Sequence, residues 1–219
     1  MEKVGARTHT PQQLIEGLSR QLEAPLPGLS AQRRMAPYPR RLQPEPGTQP
    51  RHSAVLIPLY PAEGHIHVIF TVRAATLNHH SSEISFPGGT REASDPTLEN
   101  TALREVAEEI ALPPAHVTLL GALTPLYIPP SHNLVQPFVG WIAAPSPLHA
   151  NPAEVAAILQ LPLARFLEPE AVQHRTWLWK GERLQVPCYQ IDTHCIWGAT
   201  AMIFSELLTL ISRNGTESA

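Results

Sequence analysis

Three glutamates, Glu105, Glu108 and Glu109, stand within two turns of one predicted helix. They lie in the run SFPGGTREASDPTLENTALREVAEEIAL, residues 85–112. Like charges one helical turn apart cost on the order of 0.2–0.5 kcal/mol per pair, so the cluster makes sense if something positive sits in front of it. At about 100° per residue the three share one face, and Leu103, Val106 and Ile110 share the roughly opposite one. The apolar face suits packing on a sheet, which presents the acidic face to whatever lies above. Close carboxylates with no lysine among them make a hard-oxygen site suited to Mg²⁺ or Mn²⁺. A solvated acidic face is the ordinary alternative, and the preceding FPGG, Phe86 to Gly89, weighs against it. Two glycines after Pro87 let the backbone turn tightly and come close to a ligand. Arg104, four residues before Glu108, is placed to orient it through a charge-assisted hydrogen bond.

The elements that must position these groups can be traced along the chain. Asp95, followed by Pro96, reads as the N-cap of the acidic helix. Upstream, SAVLIPLY and HIHVIFTVR are short β-branched runs separated by PAEGH, which predicts two adjacent strands. HVTLLGALTPLY and QPFVGWIAA read as further strands, NPAEVAAILQLPLARFLEP as a short helix, and TWLWKGERLQVPCYQIDTHCIWG as late strands around a turn at Gly181. ATAMIFSELLTLISRN closes the chain as an amphipathic helix. Thr10 and Pro11 begin a capped N-terminal helix, and the proline-dense stretch after it predicts an extended arm with little structure of its own. The expected division is residues 1–48 as helix and arm, dispensable for chemistry, and 49–214 as the functional domain. Strands and helices without regular alternation indicate an α/β sandwich on a mixed sheet.

The box around these residues resembles that of the Nudix hydrolases. The family pattern G-x5-E-x7-R-E-U-x-E-E-x-G-U, with U aliphatic, has its second half here as REVAEEIAL, Arg104 to Leu112, with Ala111 in place of glycine. Gly89 precedes Arg104 by one residue more than the general box allows, and Asp95 stands where the intermediate acid would be. This stretched form resembles the coenzyme A diphosphatases. Their upstream signature is matched by IFTVRAATLNHHSSEISFPGG, Ile69 to Gly89, at Thr71, Arg73, Leu77, His80 and Phe86 to Gly89. Ala74, Asn78 and Ser82 depart from it.

The resemblance implies a Nudix-type α/β/α sandwich with a catalytic loop-helix-loop. It also implies metal-dependent hydrolysis of the diphosphate of coenzyme A or acyl-coenzyme A. By similarity Glu105, Glu108 and Glu109 are metal ligands, with the Gly89 carbonyl added, and Arg104 belongs to the catalytic set. The general base is open: Glu105, Glu108, Glu154 in NPAEV, or a metal-bound hydroxide. Glu154 also reads as a helix-start residue favoured by the macrodipole. Substrate contacts are expected from Arg73, His80, Phe86, Pro87 and Gly88, with an ordinary strand-end arginine as the other reading of Arg73. Another nucleotide diphosphate, such as ADP-ribose, NADH or a dinucleotide, is the nearer alternative substrate. A non-catalytic nucleotide-binding module is the farther alternative.

Composition narrows the field. A 16% charged, 43% hydrophobic chain of 219 residues is globular, and a net charge of -3 without a basic run argues against nucleic acid as partner. Cys188 and Cys195 read as reduced thiols. The N-terminus lacks a signal-peptide stretch, and the longest apolar run is too short to span a bilayer and contains Glu206. The expectation is a soluble cytoplasmic protein with a small-molecule nucleotide substrate, no membrane partner, and a homodimer as a possible assembly.

Overall fold

A two-residue turn sets the first register of the sheet. Strands β1 (Arg51–Ala62) and β2 (His65–Arg73) run antiparallel, with Ala62 opposite His65. Between them Glu63 and Gly64 both take positive φ, 50° and 77°, the handedness that matches strand twist in a tight hairpin. The computed structural model describes residues 10–37, 41–74, 83–144, 147–179 and 182–216.

Beyond Leu59 and Val68 the two strands part, and the chain returns to fill the gap. β3 (Ile84–Ser85) pairs with β2, and β4 (Gly88–Thr90) pairs with β1, on the edges that β1 and β2 present to each other. The two glycines, expected in a tight turn, therefore lie on a short strand in the middle of the sheet. Helix α3 (Leu98–Ile110) follows it. β5 (Thr118–Ala122) and β6 (Leu126–Ile128) pair antiparallel with β7 (Asn133–Trp141), which runs parallel to β1 over its whole length. β8 (Val155–Pro162) closes the outer edge of β2. The sheet is mixed, as expected.

Alternation along β1 divides the core. Ala54, Leu56 and Tyr60 face Ala102, Val106 and Ile110 of α3, whereas Ile57 and Leu59 face the opposite layer. That layer holds α1 (Pro11–Leu22) and the closing helix α4 (Gly198–Thr216). Thr10 and Gln13 cap α1 reciprocally, and Ile15, Leu18 and Leu22 form its buried stripe. A second sheet, β9 (Val172–Trp179), β10 (Glu182–Ile191) and β11 (His194–Trp197), packs Tyr189, Ile191 and Ile196 into the same core. The fold is an α/β/α sandwich. Among the described residues no helix is long and apolar enough to cross a membrane.

Three local expectations are corrected. NPAEVAAILQLP forms a turn and then β8, because the β-branched and apolar run completes the exposed edge of β2. The cap of α3 is Thr97, whose hydroxyl accepts from the Asn100 N–H at 3.3 Å; Asp95 is engaged elsewhere. The stretch after α1 is not simply extended: α2 (Leu29–Gln32) and a 3-10 turn at Arg33–Met35 lie in it, with Met35 buried. The wholly buried Glu206 of α4 holds this segment. It accepts from the Gly28 N–H at 2.9 Å, Gln32 Nε2 at 2.8 Å, and the Thr124 N–H and hydroxyl at 3.2 and 2.7 Å. The turn expected at Gly181 lies outside the described residues.

Candidate active site

Close packing of backbone against side chain defines the floor of the site. A Cβ on Gly88 would stand 2.3 Å from the Ala54 carbonyl oxygen, and one on Gly89 would stand 2.2 Å from Glu105 Oε1. At position 88 only glycine lets β4 lie against the β1 backbone, and at position 89 a side chain would displace the Glu105 carboxylate.

Glu109, buried on the sheet side of α3, accepts a hydrogen bond from the Gly88 N–H, and its Oε2 has no hydrogen-bond partner. Burial, and then the charges of Glu105 and Glu154, push its carboxyl up to about 8 against the opposing pull of Arg73. Glu105 is raised too, chiefly by burial. One oxygen from each of Glu105, Glu109 and Glu154 falls within 4.8 Å of the others.

Glu154 reaches this group through a backbone relay. The Asn151 N–H donates to the Glu109 carbonyl at 2.9 Å, and the Asn151 carbonyl accepts from the Glu154 N–H at 3.0 Å. The Glu154 carbonyl accepts from the Ala74 N–H at 2.8 Å, next to the exposed Arg73. Asn151, not among the residues expected from the sequence, accepts the Ala153 N–H on its side-chain oxygen at 3.2 Å. The Asn-Pro pair at 151–152 was the available signal.

Glu108 stands apart from the three. Its exposed carboxylate accepts from Arg104 Nη1 at 2.9 Å, as expected from their spacing. Arg104 also pairs with Glu105 at 3.1 Å and donates to the Thr90 carbonyl at 3.2 Å. Asp95 grips the same guanidinium and accepts further from the Glu92 N–H and the Thr101 hydroxyl. Those contacts hold the Asp95 carboxyl well below its usual range, the bond to Arg104 first among them.

Of the remaining predicted groups, Phe86 is in the core, stacked on Phe70 at 4.8 Å, and Pro87 is buried. His80, Leu77, Asn78 and Ser82 lie outside the described residues.

The comparisons bear directly on this arrangement. The NUDIX domain is matched over residues 50–184, from the start of β1 to the early part of β10. The chain belongs to the Nudix hydrolase family. An uncharacterized Nudix hydrolase, NudL, of Photorhabdus laumondii is 36% identical over 176 residues, covering 80% of this chain and 91% of that one. Nudix hydrolase 22, chloroplastic, of Arabidopsis thaliana is 37% identical over 172 residues, 74% of this chain and 56% of that one. A MutT/nudix family structure from Enterococcus faecalis shares the fold, with TM-score 0.51 and 14% identity over 94% of this chain and 76% of that one. In this Nudix hydrolase the residues that resemble the family's box lie on β4, the loop after it and α3, and a third carboxylate comes from the turn before β8.

Proposed function

We infer that this Nudix hydrolase cleaves the diphosphate of coenzyme A or an acyl-coenzyme A, giving 4′-phosphopantetheine or its acyl form and adenosine 3′,5′-bisphosphate. One observation carries the reading: Arg73, retained from the upstream signature of coenzyme A diphosphatases, stands close enough to the Glu105, Glu109 and Glu154 group to act on the charge of Glu109. A guanidinium there suits bidentate contact with a phosphoryl group.

The donor set fits Mg²⁺ or Mn²⁺. It is all oxygen, and Glu109 Oε2 is buried without a partner, an expensive condition that a cation relieves. Glu105, Glu109 and Glu154 would hold it, with Gly89 beside Glu105 offering its carbonyl. A bound cation offsets the charge of the diphosphate and polarises a phosphoryl oxygen. The chain's own groups do the rest. Arg73 holds a substrate phosphate, and Gly88 keeps Glu109 directed inward. Arg104 keeps Glu105 and Glu108 in place, which leaves Glu108 near the site's edge to orient water. Glu154, the exposed member of the three, is the carboxylate placed to take the proton of the water that attacks phosphorus.

A product screen with coenzyme A, acetyl-coenzyme A, ADP-ribose, NADH and diadenosine polyphosphates tests this. Cleavage of the coenzyme A substrates with added Mg²⁺ or Mn²⁺, stopped by EDTA, is the expected result. Cleavage of ADP-ribose with coenzyme A untouched would overturn the substrate assignment and leave the hydrolase chemistry intact. Full activity in excess EDTA would overturn the metal assignment.

A further inference from the structure

The large hydrophobic residues left exposed among the described ones, Leu167, Val172 and Leu178, come from one short stretch, and two of them lie on β9. Leu178 is 76% exposed, against 44% for Leu167 and 42% for Val172. β9 is also the edge of the second sheet: β10 pairs with one side of it, and among the described residues no strand pairs with the other. It is eight residues long, VQHRTWLW, with no proline and no bulge in its pairing with β10. Unprotected edges of this kind are templates for another strand.

The sequence of the edge says which strand fits. In an antiparallel pair of identical strands related by a two-fold axis, one residue must face its own copy. Centring on Arg175 would set two guanidinium groups opposite each other. Centring on Thr176 sets threonine against threonine and places Arg175 opposite Trp177 of the second copy, on both sides of the axis. It also covers Leu178 with His174 of the second copy. Threonine pairs and cation–aromatic pairs are both favourable across strands. Arg175 lies on the Trp177 face in the monomer, where it donates to Gln190 Oε1 at 2.6 Å.

The geometry points to a homodimer formed by β9 pairing with β9 of a second copy about a two-fold axis at Thr176, giving a continuous six-stranded sheet. The interface is independent of the substrate assignment, since β9 contributes no residue to the carboxylate site.

Sedimentation velocity on the full chain at micromolar concentration tests it, with two variants at an exposed position that leave the core untouched. The expected result is a dimer, dissociated by Thr176→Lys, which sets two ammonium groups face to face. Directly opposed Cα atoms in such a pair are about 4.5–5.5 Å apart, within disulfide range. Mild oxidation of Thr176→Cys should therefore give a covalent dimer that the unsubstituted chain does not form. A monomer in the unsubstituted protein would overturn the proposal. So would a dimer that Thr176→Lys leaves intact, or one that Thr176→Cys fails to cross-link.

Discussion

Asp95 holds Arg104 with both carboxylate oxygens, Oδ1 accepting from Nε at 3.1 Å and Oδ2 from Nη2 at 3.0 Å. That bidentate grip fixes the loop before α3 to the helix, and through Arg104 it fixes Glu105 and Glu108. Asp95→Asn keeps the shape, removes the charge, and puts an amide nitrogen where one oxygen accepts. The expected outcome is a kcat loss of about 100-fold from displacement of Glu105, with substrate affinity less affected. Steady-state kinetics checks it: unchanged kcat would show that the grip does not position the carboxylates.

Ala111 ends α3 at φ 54° and ψ 32°, the left-handed region, where the family box has glycine. A side chain there costs about 1–2 kcal/mol. Ala111→Gly is expected to stabilise the protein by about 1 kcal/mol after the entropy gained by the unfolded chain is subtracted. For a chain of this size that is a rise of roughly 2–4 °C in Tm. A scan showing a lower Tm would contradict it.

Protonation of Glu109 sets a pH dependence of the cation-free protein. Its folded-state pKa is raised from 4.5 to about 8, so the folded state binds the proton more tightly than the unfolded chain does. The contribution is fully present below the ordinary carboxylate value and is lost as pH rises through about 8. Asp95 has the opposite sign, and its support is lost only in acid below the usual carboxylate range. In EDTA, Tm should fall between pH 4.5 and 8, and Glu109→Gln should flatten that slope. Added Mg²⁺ should stabilise most at the alkaline end. An equal slope in both proteins would assign the dependence to other groups.

The carboxylate of Glu206 gathers donors from Gly28, Gln32 and Thr124. Glu206→Ala strands them in the interior, at about 1–3 kcal/mol for each group left unpaired. A loss of at least about 3 kcal/mol is expected by chemical denaturation. Deleting residues 1–48 removes two of the same donors and uncovers the core contacts of Leu18 and Met35. The truncated protein is expected to keep its rate on a small diphosphate largely intact, yet it should melt well below the full chain. A truncation with unchanged denaturation midpoint would refute this.

What was legible in the sequence followed periodicity and local chemistry. The acidic helix, the capped N-terminal helix and the Arg104–Glu108 spacing are all set within a few residues of themselves. The parting of β1 and β2 is not: it depends on β3 and β4 inserting between them, a pairing no local pattern announces. Glu154 reads from the sequence as part of a helix, because a Pro-Ala-Glu run resembles a helix start, whereas the open edge of β2 that claims the segment is distant in sequence. Asp95 before Pro96 reads as a cap, but the half-buried guanidinium of Arg104 is the stronger partner.

Glu154 lies forty-five residues beyond Glu109, and the pairing of β8 with β2, together with the Asn151 N–H bond to the Glu109 carbonyl, brings them together. That strand pairing joins residues at least 82 apart, Arg73 to Val155, and closing such a loop costs chain entropy before any contact repays it, so the pairing is expected late in folding. A slip of one residue along β8 would turn its side chains to the opposite face and shift the turn that presents Glu154. On the role proposed for Glu154, catalytic competence is acquired only when long-range strand register is right. During refolding, tight cation binding should appear after the helices have formed, which makes it a timer for the last step of assembly.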